Sequence, residues 1–308
     1  MEDKEKKILQ DEGIDYEEEL RDLKQKQTGQ LDLAWMRFKR SKLAIFGAFV
    51  VISLAAVAIF APFVAPYSPY KLDILHKLEG PSMAHILGTD NLGRDIFSRL
   101  VFGSRIALKI GLLIVAVSGG IGITLGLLAG TIGGWVDELI MRLVDTFLAF
   151  PTLVLALAIA GALGPGLYNV IIAVGIVVWT RFARVTRGEI LSIKEERYIE
   201  AARAAGESRF NIMIRYLLPN VLPSILVVAT LQLPMALLSS AALSFLGVGA
   251  QPPRPSWGYM VSAGRGYILQ APWISTFPGL AIMLTVLGFN FIGDGLRDAL
   301  DPMSRSDS

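Results

Sequence analysis

Residues 106–130 read IALKIGLLIVAVSGGIGITLGLLAG and contain a single charged side chain, that of Lys109. The stretch exceeds the roughly 20 apolar residues that span a bilayer, and it is too long for a strand or an ordinary core helix. Five further apolar stretches resemble it, at 43–64, 144–163, 169–183, 221–246 and 276–292. The sequence therefore predicts an all-α, polytopic membrane protein with six transmembrane helices.

The composition agrees with a membrane protein and excludes several other classes. The chain has 308 residues, of which 53% are hydrophobic, and its mean hydropathy is +0.53. A net charge of +2 is too small to indicate nucleic-acid binding. Because there is no cysteine, the chain has neither a disulfide framework nor a thiolate metal site.

The distribution of basic residues predicts the orientation in the membrane. An even number of spans places both termini on one side, and most of the 29 Lys and Arg residues fall on that side. The positive-inside rule then predicts that both termini and the loop at 184–220 are cytoplasmic. About 40 mostly polar residues precede the first span, so we expect this span to remain as an anchor rather than act as a cleaved signal. Residues 1–30 are rich in acids and bases and predict a mobile tail or a solvated surface helix.

The loop at 184–220 contains the stretch EAARAAG at residues 200–206. Two short helices are predicted around it. Ser192 with Glu195 has the spacing of a capping box, and Gly206 suits the C-terminal end of the first helix. Ser208 is placed to cap a second helix, which we expect Pro219 to end.

The first of these helices has the features of a docking element. Ala201, Ala202 and Ala205 would give it a smooth face that another surface can approach closely, and Glu200 with Arg203 would place two charges at the edge of that face. The alternative is a loop helix whose charged face is simply solvated.

Glycines recur every four residues along the second span. Gly122, Gly126 and Gly130, followed by Gly134, lie on one helical stripe, and such stripes allow close helix–helix packing in membranes. The helix that packs on this stripe belongs either to this chain or to another subunit, and the sequence favours neither. Pro234 in the fifth span removes a backbone hydrogen bond, so a kink is expected there.

No catalytic or cofactor-binding constellation is present. His76 and His85 lack further ligands at metal-binding spacing and are expected to be surface histidines. The chain has no GxxxxGK[ST] phosphate loop, so it is not expected to hydrolyse ATP. Acids and histidines are absent near the predicted midplane, which disfavours a proton-coupled carrier.

Four segments, in order along the chain, carry a family resemblance. Residues 87–99 (LGTDNLGRDIFSR), 243–258 (LSFLGVGAQPPRPSWG) and 293–302 (GDGLRDALDP) resemble the C-type permease subunit of bacterial dipeptide and oligopeptide ABC importers. The loop stretch matches the permease pattern of EAA, three residues, Gly, nine residues, an aliphatic, one residue and Leu-Pro. The single departure is Tyr216 at the aliphatic position. Together the segments cover residues 32–302.

This resemblance implies a type I ABC importer permease fold in the bacterial cell (inner) membrane. The implied partners are a second permease, two ATP-binding subunits that carry ATP and Mg, an extracytoplasmic solute-binding protein and a peptide that crosses between the permeases. Glu200, Ala201, Ala202, Arg203, Ala205 and Gly206 would form the ATPase contact, with Glu200 paired to a basic residue of the ATPase. The same family architecture also serves nickel chelates, glutathione and some sugars.

The resulting layout has five parts: a cytoplasmic tail at 1–42, an anchor helix at 43–64, an extracytoplasmic loop at 65–105, a five-helix core at 106–296 and a cytoplasmic tail at 297–308. Two alternatives from other classes remain open. One is a carrier or channel that acts alone, and the other is a membrane scaffold that does not itself translocate solute.

Overall fold

A computed structural model of the chain describes residues 30–300, with side chains from Trp35 onward. This part of the chain consists of helices and connecting turns, with one isolated β-bridge between Thr89 and Asp95. The helices are α1 (Gln30–Arg40), α2 (Lys42–Ile59), α3 (Ala61–Val64), α4 (Ile96–Ile132), α5 (Gly134–Leu148), α6 (Thr152–Leu163), α7 (Leu167–Ile193), α8 (Arg197–Ala204), α9 (Arg209–Phe245), α10 (Trp257–Gly264) and α11 (Trp273–Leu300). The predicted tail at residues 1–29 and the last eight residues lie outside the described residues.

Five helices are long and apolar enough to cross a membrane: α2, α4, α7, α9 and α11. Each contains most of one predicted span. Four are considerably longer than predicted, because α4 starts at Ile96, α7 continues to Ile193, α9 starts at Arg209 and α11 continues to Leu300. All four extensions contain arginines, whose charge lowers the hydropathy of a stretch even where the helix continues.

The remaining predicted span, 144–163, is not one straight helix. It is divided between α5 and α6, which meet at an angle of 92°. Pro151 directly precedes α6, and a proline both lacks an N–H and disfavours helical geometry in the residue before it. The chain therefore bends in the middle of the predicted span.

The bent pair α5–α6 nevertheless returns the chain along the whole bundle. Helices α4 and α7 pack in parallel, because Gly175 of α7 approaches Val117 of α4 and Ile190 approaches Gly130. The end of α4 and the start of α7 consequently lie at opposite ends of the bundle. The connection between them has to cross it, so α5 and α6 together count as a sixth crossing within residues 30–300.

The prediction that Pro219 ends a helix was wrong. Helix α9 runs from Arg209 through a π-helical segment, Ile212–Leu217, and continues past Pro219 to Phe245. The wider turn directly before the proline changes the hydrogen-bond pattern, so a missing N–H at this point does not stop the helix. Pro234 lies buried within the same helix, and the kink expected there stays a prediction.

The described ends of the chain meet at one end of the bundle. A Cβ at Gly295 of α11 would contact Ala44 of α2 and come within 3.3 Å of the Phe38 ring in α1. Residues 30–40, part of the predicted tail, are therefore a helix that packs on α11. The most extensive helix contact within residues 30–300 joins α4 and α7, and the loop described next follows the C-terminal end of α7.

Candidate coupling loop

The loop between α7 and α9 folds as the short helix α8 followed by a tight turn. Gly206 has a φ of +81°, its N–H donates to the Arg203 carbonyl at 3.0 Å, and the Glu207 N–H donates to the Ala202 carbonyl at 3.1 Å. These two bonds form a Schellman motif, in which glycine takes the left-handed position without steric strain. The prediction that Gly206 ends the helix is confirmed.

The cap of the second helix is confirmed as well, whereas that of the first was wrong. The Asn211 N–H donates to Ser208 Oγ at 3.2 Å, at the start of α9. Ser192, in contrast, lies inside α7, and the residue that precedes α8 is Glu196, whose side chain forms no cap bond. Although Ser192 and Glu195 have the spacing of a capping box, Ser192 forms part of the last turn of α7 and caps no helix.

One face of α8 packs on the transmembrane helices. Ile199 is fully buried and Ala202 is 7% exposed, and both belong to a core cluster formed with α4, α7 and α9. In that cluster they pack with residues such as Leu127, Ile190 and Leu217. The predicted alanine face therefore needs a correction at Ala202, which lies on the inner side of the helix because it follows Ile199 by three residues.

The opposite face of α8 is exposed. It carries Glu200, Ala201, Ala204 and Ala205, while Arg203 lies on the flank next to Glu200. Glu200 forms no ion pair with the described residues. This face combines small side chains with a free carboxylate, which suits close approach by a partner that supplies a cation.

Exposed aromatic side chains flank this face. Tyr198 at the start of α8 is 43% exposed, and Phe210 after the turn is 66% exposed. Partial burial, and to a smaller extent the Glu196 carboxylate, raises the pKa of the Tyr198 phenol above its usual value. Large exposed aromatics in a polar loop are typical of protein contact surfaces.

The predicted glycine stripe joins this loop to the membrane helices. Gly122, Gly126 and Gly130 all face α7, and added Cβ atoms at the second and third would lie 2.6 Å from the Ala183 oxygen and 2.8 Å from Ile190 Cβ. Gly134 does not share the contact, because it lies at the start of α5 with no neighbour within 4 Å. The closely packed α4–α7 pair thus leads directly to α8.

Ion pairs between helices fix the same end of the bundle. Arg187 of α7 forms a two-pronged pair with Asp137 of α5, with the second contact at 2.6 Å, and Arg184 pairs with Asp145 at 2.6 Å. Arg142, three residues before Asp145, pairs instead with Glu138 on its own helix. The cross-helix partner could not be seen in the sequence, because α5 and α7 are far apart along the chain.

At the other end of the bundle, the segment at 87–99 forms a buried charge network. Asp90 accepts from Arg94 Nε at 2.7 Å and lies 3.7 Å from Arg99 Nε, and Arg99 is 1% exposed. His85 bonds Asp95 at 2.9 Å and is mostly buried, so the expectation of a surface histidine was wrong for His85. The i, i+4 spacing of Asp90 and Arg94 was the available sequence signal for this network.

Among residues 30–300, no group of three or more His, Asp or Glu side chains is arranged to hold a metal ion. The geometry instead places a helix with an exposed, small-residue face at the end of a tightly packed pair of transmembrane helices. Such an arrangement transmits motion, since a rigid element moves together with the helices on which it packs.

Comparison with known proteins identifies the family of this chain. A family described as the binding-protein-dependent transport system inner membrane component matches residues 122–306. A second family, the N-terminal transmembrane domain of oligopeptide transport permease C, matches residues 29–81. The chain belongs to the family of binding-protein-dependent transport inner membrane components, within its C-type permeases of peptide ABC importers.

Several curated relatives cover nearly the whole chain. The dipeptide transport system permease protein DppC of Alkalihalophilus pseudofirmus is 48% identical over 273 residues, or 89% of this chain and 90% of the relative. The glutathione transport system permease protein GsiD of Pectobacterium atrosepticum is 46% identical and covers 88% and 91% of the two chains. The probable D,D-dipeptide transport system permease protein DdpC of Escherichia coli is 42% identical and covers 92% and 95%.

The fold also resembles a solved transporter. A chain of the inward-facing MetNI methionine ABC transporter aligns with a TM-score of 0.55 and 22% identity, and the match covers 67% of this chain and 98% of the other. The predicted ABC importer permease fold is thereby confirmed.

Proposed function

We propose that this chain is one of two permease subunits of an ATP-driven importer of di- and oligopeptides. The carrying observation is the exposed face of α8, which is presented by the Gly206 turn and seated through Ile199 on α4, α7 and α9. ATP and Mg would bind to two partner ATPases, and an extracytoplasmic binding protein would deliver the peptide to a path between this chain and a second permease.

In this proposal α8 is the lever of the machine. Glu200, Ala201, Ala205 and the Gly206 turn would lie in a groove of one ATPase, with Arg203 at the rim, and Glu200 would pair with a basic residue there. Closure of the two ATPases would move α8 as a rigid body. Because α8 shares its core with three transmembrane helices, these would tilt with it from an inward-facing to an outward-facing state.

The test is reconstitution of the complete transporter in proteoliposomes, with the wild-type chain or with Glu200→Arg. Charge reversal should strongly reduce peptide-stimulated ATP hydrolysis and uptake while membrane insertion stays normal. The matched control is Arg215→Gln, which removes an exposed charge on α9, outside the proposed contact face of α8. Unchanged ATP-coupled uptake by Glu200→Arg would refute the role of Glu200. Uptake by the chain alone would instead favour a self-sufficient carrier.

Glutathione is the second candidate substrate, because glutathione permeases are as similar to this chain as dipeptide permeases are. Glutathione is itself a short peptide, so the two substrates need similar paths. Competition between labelled dipeptide and glutathione, measured with the cognate binding protein present, separates them. Peptide uptake that glutathione does not inhibit supports the first assignment.

We also propose that α8 and both termini face the cytoplasm, with the domain layout given by the sequence. The chain has no cysteine, so single-cysteine variants can report the topology directly. Leu75→Cys and Met83→Cys, whose native side chains are 92% and 102% exposed, should react with an impermeant maleimide on intact cells. Ala205→Cys should react only after the membrane is opened, and the reverse pattern would invert the topology.

A further inference from the structure

A cavity of about 440 Å³ lies beside α8, between the end of α4 and the start of α9. Such a volume falls in the range of about 300–1,000 Å³ that is typical of small-molecule sites. Its polar lining is formed by Thr131, Lys194, Arg203, Glu207 and Arg209, above apolar side chains that include Ile212. Of its lining residues, only Arg203 also borders the proposed ATPase contact.

The lining is strongly positive. Three cations, Lys194, Arg203 and Arg209, face one carboxylate, and that carboxylate of Glu207 already accepts from Asn211 Nδ2 at 2.9 Å. None of the three cations forms an ion pair with a side chain in residues 35–300. Like charges that converge on one cavity repel each other, and a bound anion removes that repulsion.

An orphaned hydroxyl lies in the same cavity. Thr131 Oγ1 is buried and has no hydrogen-bond partner in the described chain. Buried polar atoms are nearly always paired, so an atom of this kind indicates a missing partner. A hydroxyl donates to an anionic oxygen as readily as Lys and Arg do, and this adds an uncharged donor to the three cationic ones.

We propose that this cavity binds a phosphate group. A phosphate offers several charged oxygens to donors that converge from different directions, and guanidinium groups match its geometry with paired bonds. Lys194 follows α7, Arg203 lies on α8 and Arg209 begins α9, so the bound group would tie three helices to the end of α4. The phosphate belongs either to an anionic lipid headgroup or to a soluble compound.

The cavity lies on the Arg203 flank of α8, not on its outer face. Ala201 and Ala205 point away from it, so a ligand here leaves the outer face of α8 uncovered and shares only Arg203 with the rim of the proposed ATPase contact. Binding consequently needs no partner subunit. It can be tested on the chain alone, and its failure is distinguishable from a failure of the coupling proposal.

The experiment is a binding titration of the full chain in neutral detergent, in which native mass spectrometry detects the bound probe. The probes are inorganic phosphate, phosphatidylglycerol and, as the zwitterionic comparison, phosphatidylcholine. The variants are Lys194→Gln and Arg209→Gln, and the matched control is Arg197→Gln, an exposed cation of α8 outside the cavity. Loss of one charge-assisted contact should weaken binding about tenfold or more, whereas the control should bind like the wild type.

Retention of inorganic phosphate identifies a soluble source, and retention of phosphatidylglycerol alone identifies a lipid headgroup. Either result supports the site if Lys194→Gln and Arg209→Gln both weaken the binding of that probe. The proposal is overturned if neither probe binds, if phosphatidylcholine binds equally well, or if Arg197→Gln has the same effect as the cavity variants. Should a glutamine variant aggregate on size-exclusion chromatography, Lys194→Arg retains the charge and must retain binding.

Discussion

Replacing Gly126 by alanine is expected to loosen the contact between α4 and α7. The new Cβ would lie 2.6 Å from the Ala183 carbonyl oxygen and 2.7 Å from Thr186 Cβ. Carbon contacts are favourable near 3.5–4.0 Å, so the helices must move apart by roughly 1 Å at this point. A backbone carbonyl cannot rotate out of the way as a side chain can. Overpacking of this kind typically costs about 1–3 kcal/mol.

Gly120 provides a matched control on the same helix. A Cβ there meets nothing within 4 Å, so Gly120→Ala brings the same gain in helix propensity without the clash. The difference between the two variants therefore isolates the contact with α7. We expect Gly126→Ala to be less stable than Gly120→Ala by about 1–3 kcal/mol.

The measurement is unfolding of the full chain in mixed micelles by increasing SDS, followed by tryptophan fluorescence and circular dichroism. Trp179 lies on α7, with its backbone oxygen against Gly122 and its ring against Phe147 of α5, and it is one of the five tryptophans whose fluorescence follows the opening of the bundle. If Gly126→Ala unfolds at the same SDS fraction as Gly120→Ala, the glycine stripe does not hold α7, and the lever mechanism loses its rigid support.

Three further variants test other contacts. Ile199→Ala removes the fully buried anchor of α8 and should cost about 2–5 kcal/mol. Hydrogen exchange should become faster in α8 but not in the first half of α7. Exchange in α8 at the wild-type rate would show that the anchor is dispensable. Asp90→Asn leaves two buried guanidinium groups without their carboxylate and should cost about 3–5 kcal/mol of stability, measured as a lower melting temperature. The control Asp73→Asn, at a more exposed carboxylate, should leave the melting temperature unchanged. Similar melting temperatures for both variants would argue against the network. Gly206→Ala forces a side chain into a φ of +81° and should cost about 1–2 kcal/mol of stability. Gly188→Ala, whose new Cβ meets no neighbour, should not destabilise the chain. A larger loss of stability for Gly188→Ala than for Gly206→Ala would contradict the assigned turn.

The parts of the fold that depend on local chemistry were predictable. Long apolar stretches indicated the spans, because the bilayer sets a minimum length that few other structures require. The turn at Gly206 and the cap at Ser208 were also predicted correctly, since each depends on the conformation and side chain of a single residue near a helix end.

Predictions that depended on distant partners failed or stayed open. Arg184 and Arg187 lowered the hydropathy of the fourth span, so its end was placed ten residues too early, although both are neutralised by acids of α5. Ala202 was assigned to the outer face of its helix. Its true direction is fixed by Ile199, which packs into a core that α8 shares with three other helices.

The sequence by itself determined the class of this protein, the apolar spans and the position of the loop between α7 and α9. Length, hydropathy and charge act on each segment separately, and their effects are therefore visible in the order of the residues. Only the tertiary structure decided which helix the glycine stripe faces, which side of α8 stays exposed and which cations converge beside Thr131. Those features arise where α4, α7, α8 and α9 meet, and a contact between segments far apart in the chain has no local pattern that records it.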